Sequence, residues 1–271
     1  MNAGIVRKSF RETIALSIVC GAAFTGVLSL LARLFPMFYE EGAGVWFRMK
    51  FVKVIVSALL GAEISDQLGP DTLMAFAWVH PLALTLLLVH VITFVTRMPA
   101  GEIDRGTADL LLGLPVARWR LYLSESVAWL ASGAAVIAFG LLGFSVSIRF
   151  APPEFQPSAA RLGIIVVNLL TLYASVGGVT WLCSSLSDRR GRAVAVAFAL
   201  VFSSFLINFI AQIWEPAKRL TALSVLTYYR PMAILAGDGW PVGDLIVLAA
   251  VGGGCWLAGM VVFTRRDVCT V

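Results

Sequence analysis

Charge is what this sequence has least of: Asp, Glu, Lys and Arg make up 14% of its 271 residues, against an apolar share of 59%. A water-soluble domain carries about a quarter charged residues. This chain therefore has too little polar surface to cover itself in water, and lipid must be its solvent. The scarcity is also uneven. No Asp, Glu, Lys or Arg lies in the middle of a long apolar run, and Glu12, Glu125 and Asp244 fall close to run ends. Ion-coupled carriers and proton pumps bind and release charge at membrane depth. Secondary transport is thereby disfavoured but not excluded, since broken helices can hold ions through backbone carbonyls.

Cysteine is sparse too. Cys20, Cys183 and Cys255 sit inside apolar runs, Cys269 lies near the end, and no CxxC pair occurs, which argues against a disulfide framework or a zinc site. His80 and His90 are the only histidines. Ten helical positions set them roughly 80° apart around the axis, so packing or interfacial roles are favoured over haem or metal binding. HExxH, GxSxG and a Walker A glycine loop are all missing, and with them the enzyme classes they mark. Gly237-Asp238-Gly239 superficially resembles an aspartyl-protease motif, but that chemistry needs two carboxylates sharing a proton. A turn is the better reading. The chain is thus expected to be no enzyme, with no catalytic residue, cofactor or metal site of its own. The net charge of +5 is spread over run ends, as topological anchors are, and not gathered into a nucleic-acid patch.

What is present is six apolar runs, each long enough to cross a bilayer as a helix. They are Thr13–Ala32, Leu73–Thr96, Leu121–Ile148, Leu162–Leu186, Ala193–Ile213 and Leu245–Thr264. The expected fold is all-α: a polytopic integral membrane helical bundle, one domain over residues 1–271. The first run is read as an uncleaved helix, since it is longer than a signal peptide's apolar core. Basic residues recur at alternate connections: Arg7, Lys8 and Arg11; Arg97, Arg105, Arg118 and Arg120; Arg189, Arg190 and Arg192; Arg265 and Arg266. The positive-inside rule puts these segments, and both termini, in the cytoplasm. Arg48, Lys50 and Lys53 in the first outer loop count against that orientation. Val45–Ala62 is read as interfacial or re-entrant, its apolar core of about a dozen residues being too short to cross. Asn168 and Asn208 are expected to hydrogen-bond between helices. Gly177-Gly178 and Gly252-Gly253-Gly254 allow close helix approach, within the chain or across a dimer.

The most informative stretch joins the second and third runs, from Pro99 to Arg118. It is too polar to cross. Glu102, Asp104 and Asp109 can face water while Leu110, Leu111, Leu112 and Leu114 cover an apolar partner or the interface. Gly106-Thr107 offers a break and an N-cap, Pro115 stops the helix, and Arg118 opens the next span. Physics leaves two readings open, an amphipathic surface loop and a docking site for a cytoplasmic partner.

The pattern Gly101-Glu102…Arg105-Gly106-Thr107…Leu111-Leu112…Leu114-Pro115-Val116…Arg118 resembles the coupling-helix region of ATP-binding-cassette (ABC) exporter permeases of the type-2 family. Cys183-Ser-Ser-Leu-Ser-Asp-Arg-Arg-Gly-Arg192, the Leu226–Gly237 segment and the ending Phe263-Thr-Arg-Arg-Asp267 are similar to that family in the same order. The resemblance implies a permease subunit in a prokaryotic cell membrane, paired with a second copy and with separate cytoplasmic ABC ATPase subunits that carry ATP and magnesium. It implies that Glu102, Gly106, Thr107, Leu112, Pro115 and Arg118 form the ATPase-coupling interface, with Glu102 meeting a basic group of the ATPase and Leu112 packing into its groove. The push would pass into the second and third spans. The substrate stays open, and an ion- or proton-coupled carrier or a non-transporting membrane scaffold remain the alternatives.

Overall fold

The computed structural model describes residues 3–40, 69–113 and 115–266; the segment Val45–Ala62 and Leu114 lie outside them. Among the described residues six helical spans are long and apolar enough to cross a membrane, which marks the chain as a multi-pass membrane protein. Helix is what lipid enforces, because backbone groups in hydrocarbon must pair within their own segment. The first span is α1 (Ala3–Glu40). At 1.5 Å per residue its 38 residues extend about 57 Å, well past a hydrocarbon core of about 30 Å. Its first three turns therefore project beyond the apolar belt.

The second span, expected as one helix, is two: α2 (Pro70–Val79) and α3 (Pro81–Val95). Pro81 is the cause. Its ring disfavours helical geometry at the preceding residue, and His80 duly sits at φ −56°, ψ 129°. Pro81 then opens α3 at N1, where its missing N–H costs nothing, and His80 Nδ1 accepts the Leu82 N–H at 3.3 Å. A proline in an apolar run leaves its hydropathy nearly intact, so length and hydropathy overlook the break.

Two short helices follow, α4 (Ala100–Asp104) and α5 (Ala108–Leu112), then α6 (Arg118–Ile148), α7 (Ala159–Leu186), α8 (Arg190–Ala211), α9 (Pro231–Ala236) and α10 (Val242–Arg265). The core is built where glycine lets helices close in. A Cβ on Gly140 of α6 would overlap the Phe24 ring of α1, and one on Gly178 of α7 would overlap the Gly252 carbonyl of α10. The Gly178–Gly252 contact is therefore intrachain, while Gly253 and Gly254 face open space.

Opposite the basic end, α9 and two 3₁₀ turns (Glu215–Leu223 and Val225–Tyr228) fold over the bundle as a cap. Both asparagines hold this cap instead of joining spans. Asn168 donates to the Tyr228 carbonyl at 3.1 Å and accepts from the Arg230 N–H at 3.0 Å, and Asn208 accepts from Thr227 at 2.8 Å. Gly237-Asp238-Gly239 is a turn, with left-handed φ of 110° and 76° at its glycines, values that L side chains rarely adopt.

Candidate functional site at the basic end of the bundle

Between the second and third spans the chain does not form a loose loop. Thr96 caps α3, and the Gly101 N–H returns to the Thr96 carbonyl at 3.1 Å, folding α4 back against the bundle. Gly101 has no room for a side chain: a Cβ would stand 3.1 Å from that carbonyl and 3.3 Å from Cδ of Arg190. Gly106, at φ 68°, makes the break expected there and redirects the chain into α5. Thr107 precedes α5, but its hydroxyl is turned onto the Glu102 carboxylate. Leu110 of α5 is 76% exposed and Pro115 is exposed. Leu112 closes α5, and its side chain is outside the described residues. Arg118 opens α6 and donates to the Arg266 carbonyl at 2.6 Å, joining the third span to the end of the sixth.

The charges expected to anchor separate helix ends converge instead. Arg97 is 6% exposed and forms ion pairs with Glu12 of α1 and Glu125 of α6; it also donates to Ser9 at 2.6 Å. Ser9 in turn donates to Glu125 at 2.8 Å. Burying a lone guanidinium or carboxylate is costly, and pairing with further hydrogen bonds is what makes such a burial tolerable. Lys8 lies 3.5 Å from both Glu12 and Glu102, and Arg105 lies 3.2 Å from Glu102. A continuous chain of alternating charge thus runs Glu125, Arg97, Glu12, Lys8, Glu102, Arg105. It links α6, the end of α3, α1 and α4.

Glu102 is 5% exposed, so its carboxylate is committed within the chain. Burial by itself would raise its pKa, but the Thr107 hydroxyl and the charges of Lys8 and Arg105 outweigh that and hold it below the usual carboxylate value. Asp104, at the end of α4, accepts the Arg190 backbone N–H at 3.3 Å, and the Arg190 guanidinium donates to the Thr93 carbonyl at 3.1 Å. The Ala100 N–H donates to Ser184 of α7 at 3.2 Å. α4 is wedged among the ends of α3, α7 and α8.

Two cavities flank this assembly. One of about 760 Å³ is lined by Lys8, Glu12, Arg97, Glu102, Arg105 and Arg190 among others. The larger, about 1000 Å³ and mostly apolar, lies between α3 and α8, along Leu88, Ile92, Phe198, Phe202 and Phe205. Lys218 and Arg230 line it on the capped side.

No known protein family matches this chain, and no curated protein matches it.

Of the residues singled out in sequence, Thr107 is brought onto the Glu102 carboxylate with Gly106 making the turn between them, while Arg118 joins a separate contact with the C-terminal end of α10. The residues missed are Lys8, Glu12, Arg97, Glu125 and Asp104. One signal was legible: Glu125 lies seven residues inside a helix beginning at Arg118, where an unpaired acid would be expensive. A second polar cluster lies deeper. His90 is fully buried; its Nδ1 is 3.0 Å from the Tyr173 hydroxyl and its Nε2 3.2 Å from Ser132 and 3.3 Å from Ser17. His80, in the kink, takes no part in it. Among the described residues no group of three or more metal-ligating side chains occurs.

Proposed function

We propose that this chain is the membrane-spanning permease subunit of an ATP-driven ABC-type exporter, acting as a pair of copies with separate ATPase subunits on the basic, cytoplasmic side. The observation that carries the reading is the α4–α5 element. It presents an exposed leucine outward while Glu102 pairs with Lys8 of α1 and Asp104 accepts from the first N–H of α8. A surface loop needs no such anchoring. An element that receives a push and passes it on does. The buried state of Glu102 moves its role from partner contact to internal transmission, leaving Leu110 and the α5 surface for the ATPase. The apolar α3–α8 cavity supports a transport path, and energy arriving from the basic end fits the shortage of charge deeper in the spans.

The experiment is co-expression with candidate ABC ATPases from the source genome, followed by purification of any complex that forms. Glu102→Gln and Leu112→Asp are expected to change ATP turnover in the complex several-fold while each chain keeps its fold. Full pairing and unchanged turnover in both variants would sink the assignment. The His90 cluster favours a second reading, an ion-coupled carrier, because polar groups gathered at membrane depth mark ion pathways in other proteins. Solute uptake by this chain alone in ATP-free vesicles would establish it.

A further inference from the structure

α8 enters the bundle with little of its own to hold its first turn. Its cap position is Arg189, whose side chain makes no capping hydrogen bond. The first N–H groups of a helix have no partner within it. Here the first one, on Arg190, is taken by Asp104 of α4 at 3.3 Å, so the cap is supplied by another element. The same residue's guanidinium reaches the Thr93 carbonyl at 3.1 Å, near the end of α3, and Gly101 of α4 lies flush against its side chain. Further along, α8 keeps one buried face (Ala197, Val201, Ser204, Asn208), while Phe198 is 56% exposed and Phe202 47% exposed, and the large cavity separates it from α3. The outer wall of that cavity is therefore a helix held at its foot by α3 and α4 and at its far end by the cap, where Asn208 accepts from Thr227 at 2.8 Å and the Ser204 carbonyl accepts from Ser224 at 3.0 Å.

We infer that Asp104 and Arg190 are positioning residues through which α4 sets the angle of α8, and so the width of the α3–α8 cavity. The push expected to pass into the second and third spans passes instead into the fifth. Asp104 supplies an acceptor that moves with α4, and Arg190 keeps the foot of α8 against α3 while α4 turns. The small side of the junction is fixed by Gly101, which leaves no slack between the two elements. The inference rests on the transport reading for its purpose only. Its test involves no ATPase, so the two stand or fall separately.

The test uses the full chain in lipid nanodiscs, with the four native cysteines replaced by alanine. One readout is hydrogen exchange at residues 190–194. Asp104→Ala is expected to speed it about fivefold, the loss of one helix cap, and Asp104→Asn, which keeps an acceptor oxygen, to restore it. The second readout is oxidative cross-linking between Val89→Cys on α3 and Phe198→Cys on α8. Its rate is expected to fall at least threefold in Asp104→Ala and in Arg190→Ala, and to be near the parent rate in Asp104→Asn. A control pair, Thr25→Cys on α1 and Gly143→Cys on α6, which adjoin each other, should cross-link at an unchanged rate in every variant, which excludes general loosening. Faster exchange with unchanged α3–α8 cross-linking would mean a local cap with no control of the cavity, and would overturn the inference. So would equal losses in the control pair.

Discussion

Removing Arg97 isolates a buried acid, and the cost can be worked from its surroundings. In Arg97→Met, Glu125 keeps only the Ser9 hydroxyl as a close partner, in a site where its side chain is 4% exposed. Breaking a buried pair from one side costs about 3–5 kcal/mol, because the remaining charge has lost its counterion and not regained water. For a chain of this size each kcal/mol lowers the melting midpoint by roughly 2–4 °C. A fall of about 6–20 °C is expected for purified protein in nanodiscs, followed by tryptophan fluorescence. Glu125→Leu alone should also destabilise, but less, since Arg97 retains Glu12. The double variant Arg97→Met, Glu125→Leu should recover most of the loss, as apolar replacements of buried pairs do. The cycle thus predicts strong positive coupling. A single variant within about 0.5 kcal/mol of the parent, or a double variant as unstable as the sum of the singles, would refute the reasoning.

Acid should loosen α4 from α1 through Glu102. Its folded pKa lies below the unfolded value, so its contribution is present above the unfolded value of about 4.3 and is lost as pH falls through the folded one. In Glu102→Gln the acid limb of a stability-versus-pH curve should flatten below about pH 4.3, with little change in the shape near neutrality. Gly252→Ala should destabilise by several kcal/mol, on the order of other overpacking failures, since its Cβ would lie 2.6 Å from the Ser175 backbone. Gly253→Ala, facing open space, should be neutral in the same melting assay. His90→Phe removes the ring nitrogen beside the buried Tyr173 hydroxyl, while Ser132 keeps Ser17 at 2.7 Å, and should cost about 1–3 kcal/mol; unchanged melting would show that the Tyr173 hydroxyl is satisfied without His90.

Hydropathy and length made the six spans legible, and backbone chemistry made Gly106 and the Gly237–Gly239 turn legible, because in each case the deciding information is local. Pro81 was equally local but lay inside an apolar run whose length still satisfied a spanning helix. The charge network was hidden for a different reason. Arg97 lies 85 positions from Glu12 and 28 from Glu125, so each looked like a separate end anchor, and only packing of α1 against α3 and α6 joins them. Glu102 was legible as a site residue, but its bonds to Lys8, Thr107 and Arg105 were not. A sequence shows that an acid sits in a polar connection, not whether it faces outward or back onto Lys8. Asp104 was hidden for the same reason as the network, since its partner is a backbone N–H on another helix.

The most direct test of the permease assignment is photo-cross-linking from Leu110, the most exposed leucine of α5 whose side chain is described. A photoreactive amino acid placed there, in the chain co-expressed with the ABC ATPase that co-purifies with it, should cross-link to that ATPase, and the yield should change on addition of ATP and magnesium. The same group at Ile246, on α10 and 61% exposed, should not. Cross-links from Leu110 only to lipid, with no ATPase adduct under either condition, would contradict the account.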